Sequence, residues 1–95
     1  MQNKPKHTIE KVINKAFITI GIKLDKKIPV YYKWDKKRQP INKNGQLKFP
    51  FIMLDYEPSI REWSVSLVSG FENVIICNID DITGFCSISS LDNID

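Results

Sequence analysis

Two periods divide the chain. From Ile9 the apolar residues Ile9, Val12, Ile13, Ala16, Phe17 and Ile20 recur three and four positions apart, while Lys11, Asn14 and Lys15 fall between them. That spacing predicts an amphipathic helix with one buried stripe, with Thr8 as its N-cap and Gly21 as its stop. The run Phe17-Ile18-Thr19-Ile20, rich in β-branched residues, leaves an early strand as the competing reading of the last turn. Residues 1–7, polar and containing Pro5, are expected to fray.

From Ile28 the period falls to two. In IPVYYKW, Val30, Tyr32 and Trp34 share one side and Tyr31, Lys33 and Asp35 the other, which predicts a first strand. Residues 35–45, with Pro40 and Asn42-Lys43-Asn44-Gly45, carry turn chemistry. A second strand is expected through QLKFPFIMLDY, at an edge or bent where Pro50 lacks an N–H. REWSVSLV alternates with Trp63, Val65 and Leu67 inward, NVIICNI reads as a strand apolar on both faces, and FCSIS follows a tight turn around Asp81 and Ile82. The tail at residues 90–95 is expected to be loose. The order predicts a single α+β, mainly β domain: an N-terminal helix, then about five antiparallel strands in a strongly bent sheet or small SH3/Sm-like barrel, with the helix over one open end.

Composition narrows the class. At 95 residues, 42% hydrophobic, there is material for one core and not two. No apolar run reaches membrane-span length and the N-terminus lacks a signal-peptide pattern, so a cytoplasmic protein that does not enter membranes is expected. Cys77 and Cys86 are too few for a disulfide scaffold and are expected to be buried thiols; a turn centred between Asp81 and Ile82 would set them opposite each other as redox partners.

Charge changes the picture most. Residues 1–50 carry 13 Lys/Arg against 3 Asp/Glu, and residues 51–95 carry 1 against 8, so a net +10 half is joined to a −7 half. Both must share one core, which predicts a basic surface near residues 33–38 and an acidic one near Asp80 and Asp81.

Catalytic parts are missing from the pattern. The single histidine, His7, lies in the polar N-terminal stretch, the serines sit at outward strand positions, and the four glycines form no phosphate loop. No enzyme activity, cofactor or metal is expected. The basic aromatic run YYKWDKKR is the candidate site: Lys33, Lys36, Lys37 and Arg38 to neutralise phosphates, Tyr31 or Trp34 to stack on bases. The bland alternative makes Tyr32 and Trp34 core residues and the lysines a solubilising turn.

The order of features resembles the WYL domain, a small Sm-like or SH3-like barrel of bacterial transcriptional regulators and phage-defence regulators. The matching positions are residues 9–17 for the leading helix, Tyr32 for a strand-ending tyrosine, Pro50 for a strand-opening proline, Trp63-Ser64-Val65 for the Trp-Tyr-Leu signature and Ile79-Asp80-Asp81-Ile82 for the Leu-Asp-Arg-Ile element, together spanning about residues 9–89. Ser64 stands where the signature has tyrosine, Asp81 stands where the family has an arginine of its ligand surface, and no helix-turn-helix precedes the barrel in this sequence. The resemblance implies a regulatory module with a positively charged surface for nucleic acid or a nucleotide. The rival expectation is a protein-interaction module, such as an inhibitor or immunity protein, holding a partner through its acidic half or an edge strand. A homo-oligomer is compatible with both.

Overall fold

The computed structural model describes residues 5–91, with backbone alone for Ser90 and Leu91. Helix α1 (Ile9–Ile20) is followed by strands β1 (Val30–Tyr32), β2 (Phe51–Glu57), β3 (Glu62–Gly70), β4 (Asn73–Asp80) and β5 (Cys86–Leu91). The strands form one sheet in sequence order, open rather than closed into a barrel. The class is therefore α+β, mainly β, as the two periods predict.

Both ends of α1 follow their local chemistry. Thr8, in extended backbone, accepts a hydrogen bond from Lys11 N–H through its hydroxyl at 3.2 Å. At the other end Gly21 takes the left-handed conformation, φ 88°, and its N–H reaches Phe17 O. A side chain there would strain the backbone, which makes glycine the residue that lets the chain leave the helix.

The apolar stripe of α1 buries Val12, Ile13, Ala16 and Phe17 against β3, β4 and β5. From the sheet, Ile52, Leu54, Trp63, Val65, Leu67, Cys77 and Ile79 complete that core. Trp63, Val65 and Leu67 oppose Ile79, Cys77 and Ile75 in the β3–β4 register, so alternation places all six on the helix side. The helix thus lies across one face of the sheet rather than over the end of a barrel.

Four local expectations change. The first strand is short, and β1 pairs with β2 in parallel, Val30 with Ile52 and Tyr32 with Leu54. The basic run turns back on itself instead of forming a hairpin: Arg38 Nη1 reaches Val30 O at 3.3 Å, and residues 41–47 make a small bridge of their own. The chain then enters β2 at the same end as β1, after Pro50, which follows a cis peptide and precedes the strand rather than lying within it. Finally, β5 runs to Leu91 and so takes in the first two residues of the expected tail; residues 92–95 and 1–4 lie outside the described part.

The largest departure concerns Asp81. Expected on an acidic surface, it is 1% exposed. Its carboxylate accepts hydrogen bonds from the N–H groups of Lys6 and His7, from His7 Nδ1 at 3.1 Å and from the Trp63 indole at 3.0 Å. Its own N–H donates to Arg61 O at 2.9 Å. Residues 6 and 7 therefore do not fray as expected; they are the donors that satisfy a buried charge.

Burial, the largest influence on this carboxyl, pushes its pKa up, but the hydrogen bonds from Lys6, His7 and Trp63 together outweigh it and bring it from 3.8 down to about 2. Because the folded-state value lies below the unfolded one, this contribution is complete above roughly pH 4 and is lost as the pH falls toward 2. It amounts to about 2 kcal/mol. Asp81→Asn is expected to cost about 2–3 kcal/mol near neutral pH in urea titrations and to flatten the acid limb of the stability profile. A variant as stable as the parent would contradict this role.

Candidate functional site at the basic edge

The candidate residues occupy the β1 edge of the sheet and the loop that leaves it. Asp35 shapes the loop: its N–H donates to Tyr32 O at 3.0 Å, its carboxylate accepts from Lys37 N–H at 3.0 Å, and its carbonyl accepts from the Gln39 amide at 2.7 Å. This is the local hydrogen bonding that makes aspartate a turn former. With the loop so held, Lys33, Lys36, Lys37 and Arg38 are all exposed. None of these four has a carboxylate within ion-pair distance among the described residues.

The aromatic residues divide between the two sides of the sheet edge. Tyr32, on the helix side, stacks on Trp34 with ring centroids 5.1 Å apart and planes 13° from parallel. Trp34 is 51% exposed, so a pre-oriented indole remains open to solvent. The core alternative is thereby excluded for Trp34, while Tyr32 does pack against the core.

Tyr31 points the other way. Its ring meets Phe51 edge-on at 6.1 Å, and the Arg38 guanidinium lies 4.8 Å over it. Tyr31 and Arg38 thus use each other as cation and π face. The six candidates do not converge on one surface: Trp34 lies on Tyr32 and Arg38 on Tyr31, on opposite sides of β1, with Lys33, Lys36 and Lys37 exposed along the loop that leaves the strand.

Beside Tyr32 lies a groove that no pattern in the sequence marks. It runs between α1 and the segment leading into β1, with a volume near 620 Å³, and Ile9, Ile13, Leu24, Ile28, Val30 and Tyr32 line it. Tyr32 thus forms part of its wall and supports Trp34. The spacing of Leu24, Ile28 and Val30 carries no regular period that would have marked the segment as one wall of a cleft.

Other candidate chemistry resolves plainly. Asp80 and Phe85 flank the β4–β5 turn, which places Cys86 opposite Ile79 and Cys77 opposite Ile88, two residues out of step with the expected pairing. Both cysteines are free, Cys77 buried and Cys86 partly so. Burial pushes the Cys77 thiol up to about 11, with neighbouring Cys86 adding to the shift, so it stays protonated at neutral pH. Among the described residues no three His, Cys, Asp or Glu side chains are grouped to hold a metal ion, and no helix is long and apolar enough to cross a membrane. His7 and Asp81 form a hydrogen-bonded pair, which no local sequence signal marks because 74 positions separate them.

No family model, curated protein or solved structure matches the chain.

The two tryptophans should behave oppositely. Trp34→Ala is expected to change stability by no more than about 0.5 kcal/mol, whereas Trp63→Phe, which leaves the Asp81 carboxylate one donor short, should cost about 1–3 kcal/mol. Denaturant titrations of the two variants check this, and equal losses would contradict the assignment.

Proposed function

We propose that this protein is a non-catalytic regulatory or accessory module that binds a single-stranded nucleic acid, or a nucleotide, at the edge formed by Lys33, Trp34, Lys36 and Lys37. The observation that carries the reading is the half-exposed Trp34 indole, held parallel to Tyr32 in a loop whose exposed lysines have no ion pairs among the described residues. A base stacked on the open indole face leaves its phosphates near those lysines, the combination that sequence-tolerant single-strand binders use. Arg38, already over Tyr31, contributes charge at the margin of the site.

The WYL resemblance supports a nucleic-acid or nucleotide surface on such a module. In this chain the position matching the family's surface arginine is the buried Asp81, so the basic surface proposed is the β1 edge instead. A second reading, a protein-interaction module such as an inhibitor or immunity protein, draws support from Glu57, Glu62 and Asp80, which stand directly opposite one another across β2, β3 and β4. Like charges in that register disfavour the sheet by themselves and suit a basic partner.

Titration with single-stranded RNA and DNA oligonucleotides, followed by Trp34 fluorescence, tests the leading reading. Binding is expected at low salt, with log K falling with log salt at a slope of about −2 for three phosphate contacts. Trp34→Ala should weaken it by about 1–3 kcal/mol. Lys36→Glu with Lys37→Glu should abolish it. Absent binding at low salt, or binding indifferent to salt, would contradict it.

A further inference from the structure

On the side of β1 to which Tyr31 points lies a second opening, apart from the groove beside Tyr32. Lys27, Pro29, Tyr31, Lys48, Phe49 and Pro50 line it, around a volume near 410 Å³. The approach to β1, β1 itself and the approach to β2 meet there, and Ile52 N–H donates to Pro29 O at 2.9 Å, which fixes the first of these against β2.

Both aromatic walls rest on one buried ring. Phe51, 5% exposed, meets Tyr31 edge-on with centroids 6.1 Å apart and stacks on Phe49 at 6.0 Å with planes 19° from parallel. Phe71 meets Phe49 edge-on at 4.9 Å. Tyr31 and Phe49 are therefore oriented before anything binds, and little rotamer freedom is lost when a flat ligand packs against them.

Charge at this opening has one sign. Lys27 and Lys48 are exposed, and neither has a carboxylate within ion-pair distance among the described residues. Arg38, held 4.8 Å over the Tyr31 ring, adds a third positive charge beside them. No acidic side chain lines the opening; Asp25, whose carboxylate accepts from Lys27 N–H at 2.9 Å, lines the other groove. The complementary occupant is flat and apolar over one part and anionic over another.

The backbone of β1 narrows the class. Pro29 O and Lys33 N–H bond to β2 at 2.9 and 2.8 Å, so alternation turns Val30 and Tyr32 to the outer edge. Their carbonyls already accept from Arg38 Nη1 and Asp35 N–H. An extended peptide finds no free acceptor there for strand addition. A heteroaromatic base needs none, because it stacks on aromatic side chains while its phosphate meets lysines.

We propose that this opening is a subsite for one nucleoside phosphate, its base packed on Tyr31 and Phe49 and its phosphate met by Lys27 and Lys48. The volume near 410 Å³ falls toward the lower end of the roughly 300–1,000 Å³ of small-molecule sites, which suits a single nucleotide. The subsite rests on the nucleic-acid reading for its ligand class, and on none of Lys33, Trp34, Lys36 or Lys37.

Backbone-amide NMR of the full chain, titrated separately with adenosine monophosphate, inorganic phosphate, a short single-stranded DNA and an acidic tyrosine-containing peptide, tests it. Adenosine monophosphate should shift the Tyr31, Lys48 and Phe49 amides with a dissociation constant on the order of 1 mM, in the parent and in Trp34→Ala alike. Lys27→Glu with Lys48→Glu, both at exposed positions, should weaken this at least about tenfold in a chain whose remaining spectrum is that of the parent. If the source is a strand, the DNA shifts the same amides at lower concentration than the mononucleotide; if it is a free nucleotide, only the mononucleotide does; either result supports the subsite. Shifts confined to residues 33–37 would overturn it and leave the Trp34 reading standing, whereas shifts at Tyr31 and Phe49 without any response at Trp34 would support it and contradict that reading. Inorganic phosphate bound as well as the mononucleotide, unchanged affinity in the double variant, or tighter binding of the acidic peptide would each overturn the proposal.

Discussion

A buried carboxylate organises this fold. Asp81 sits where water does not solvate it, a position that disfavours charge unless donors replace the lost hydration. Those donors come from two separate parts of the chain, the residues before α1 and the indole of β3, while the aspartate's own N–H donates to Arg61 O in the β2–β3 turn. Satisfying one side chain therefore fixes where α1 begins, how Trp63 is oriented and how the two turns at that end of the sheet abut. Nearby, the Tyr56 ring packs on Trp63 at 4.8 Å with its hydroxyl buried and without a hydrogen-bond partner among the described residues, and burial raises its pKa further, as the Asp81 charge does.

The consequences reach both faces of the sheet and its β1 edge. With the residues before it tied through Asp81 to Trp63 near the start of β3, α1 lies over one face of the sheet, and its apolar stripe fills that face from Val12 to Phe17. The second face is left to Met53, Val68, Val74 and Ile76. The segment between α1 and β1 then has to cross from helix to sheet edge, and the cleft between them is the groove beside Tyr32. The lysines that follow have no buried position open to them and gather on the exposed loop after β1, where Asp35 holds the backbone in place.

Local chemistry was readable wherever it decided the outcome. The Thr8 cap, the Gly21 stop, the α1 stripe and the alternation of Trp63, Val65 and Leu67 each depend on neighbours a few positions away, and each appears in the structure as the pattern predicts. Features set by distant partners were not readable. Asp81 follows Asp80 in what reads as a turn, and only Asp80 uses its carboxylate there, capping Ile82 and Thr83 N–H groups, while Asp81 turns inward to partners 74 and 75 positions away. The parallel pairing of β1 escaped for the same reason, since the Asn-Gly turn signal is real but closes only the small bridge between Ile41 and Leu47. In the candidate site, exposure of the lysines followed from composition, whereas the division of Tyr31 from Trp34 depended on where the strand ends.

The account turns on whether the Asp81 carboxylate is charged and bonded to Trp63 in the folded protein. Following the Trp63 indole N–H resonance by NMR from neutral pH into acid tests this directly. A hydrogen-bonded indole proton, slow to exchange with water and shifting with a carboxyl that titrates near 2 rather than 3.8, is the result the structure requires. An indole proton that exchanges freely, or that follows a carboxyl titrating at its ordinary value, would contradict it.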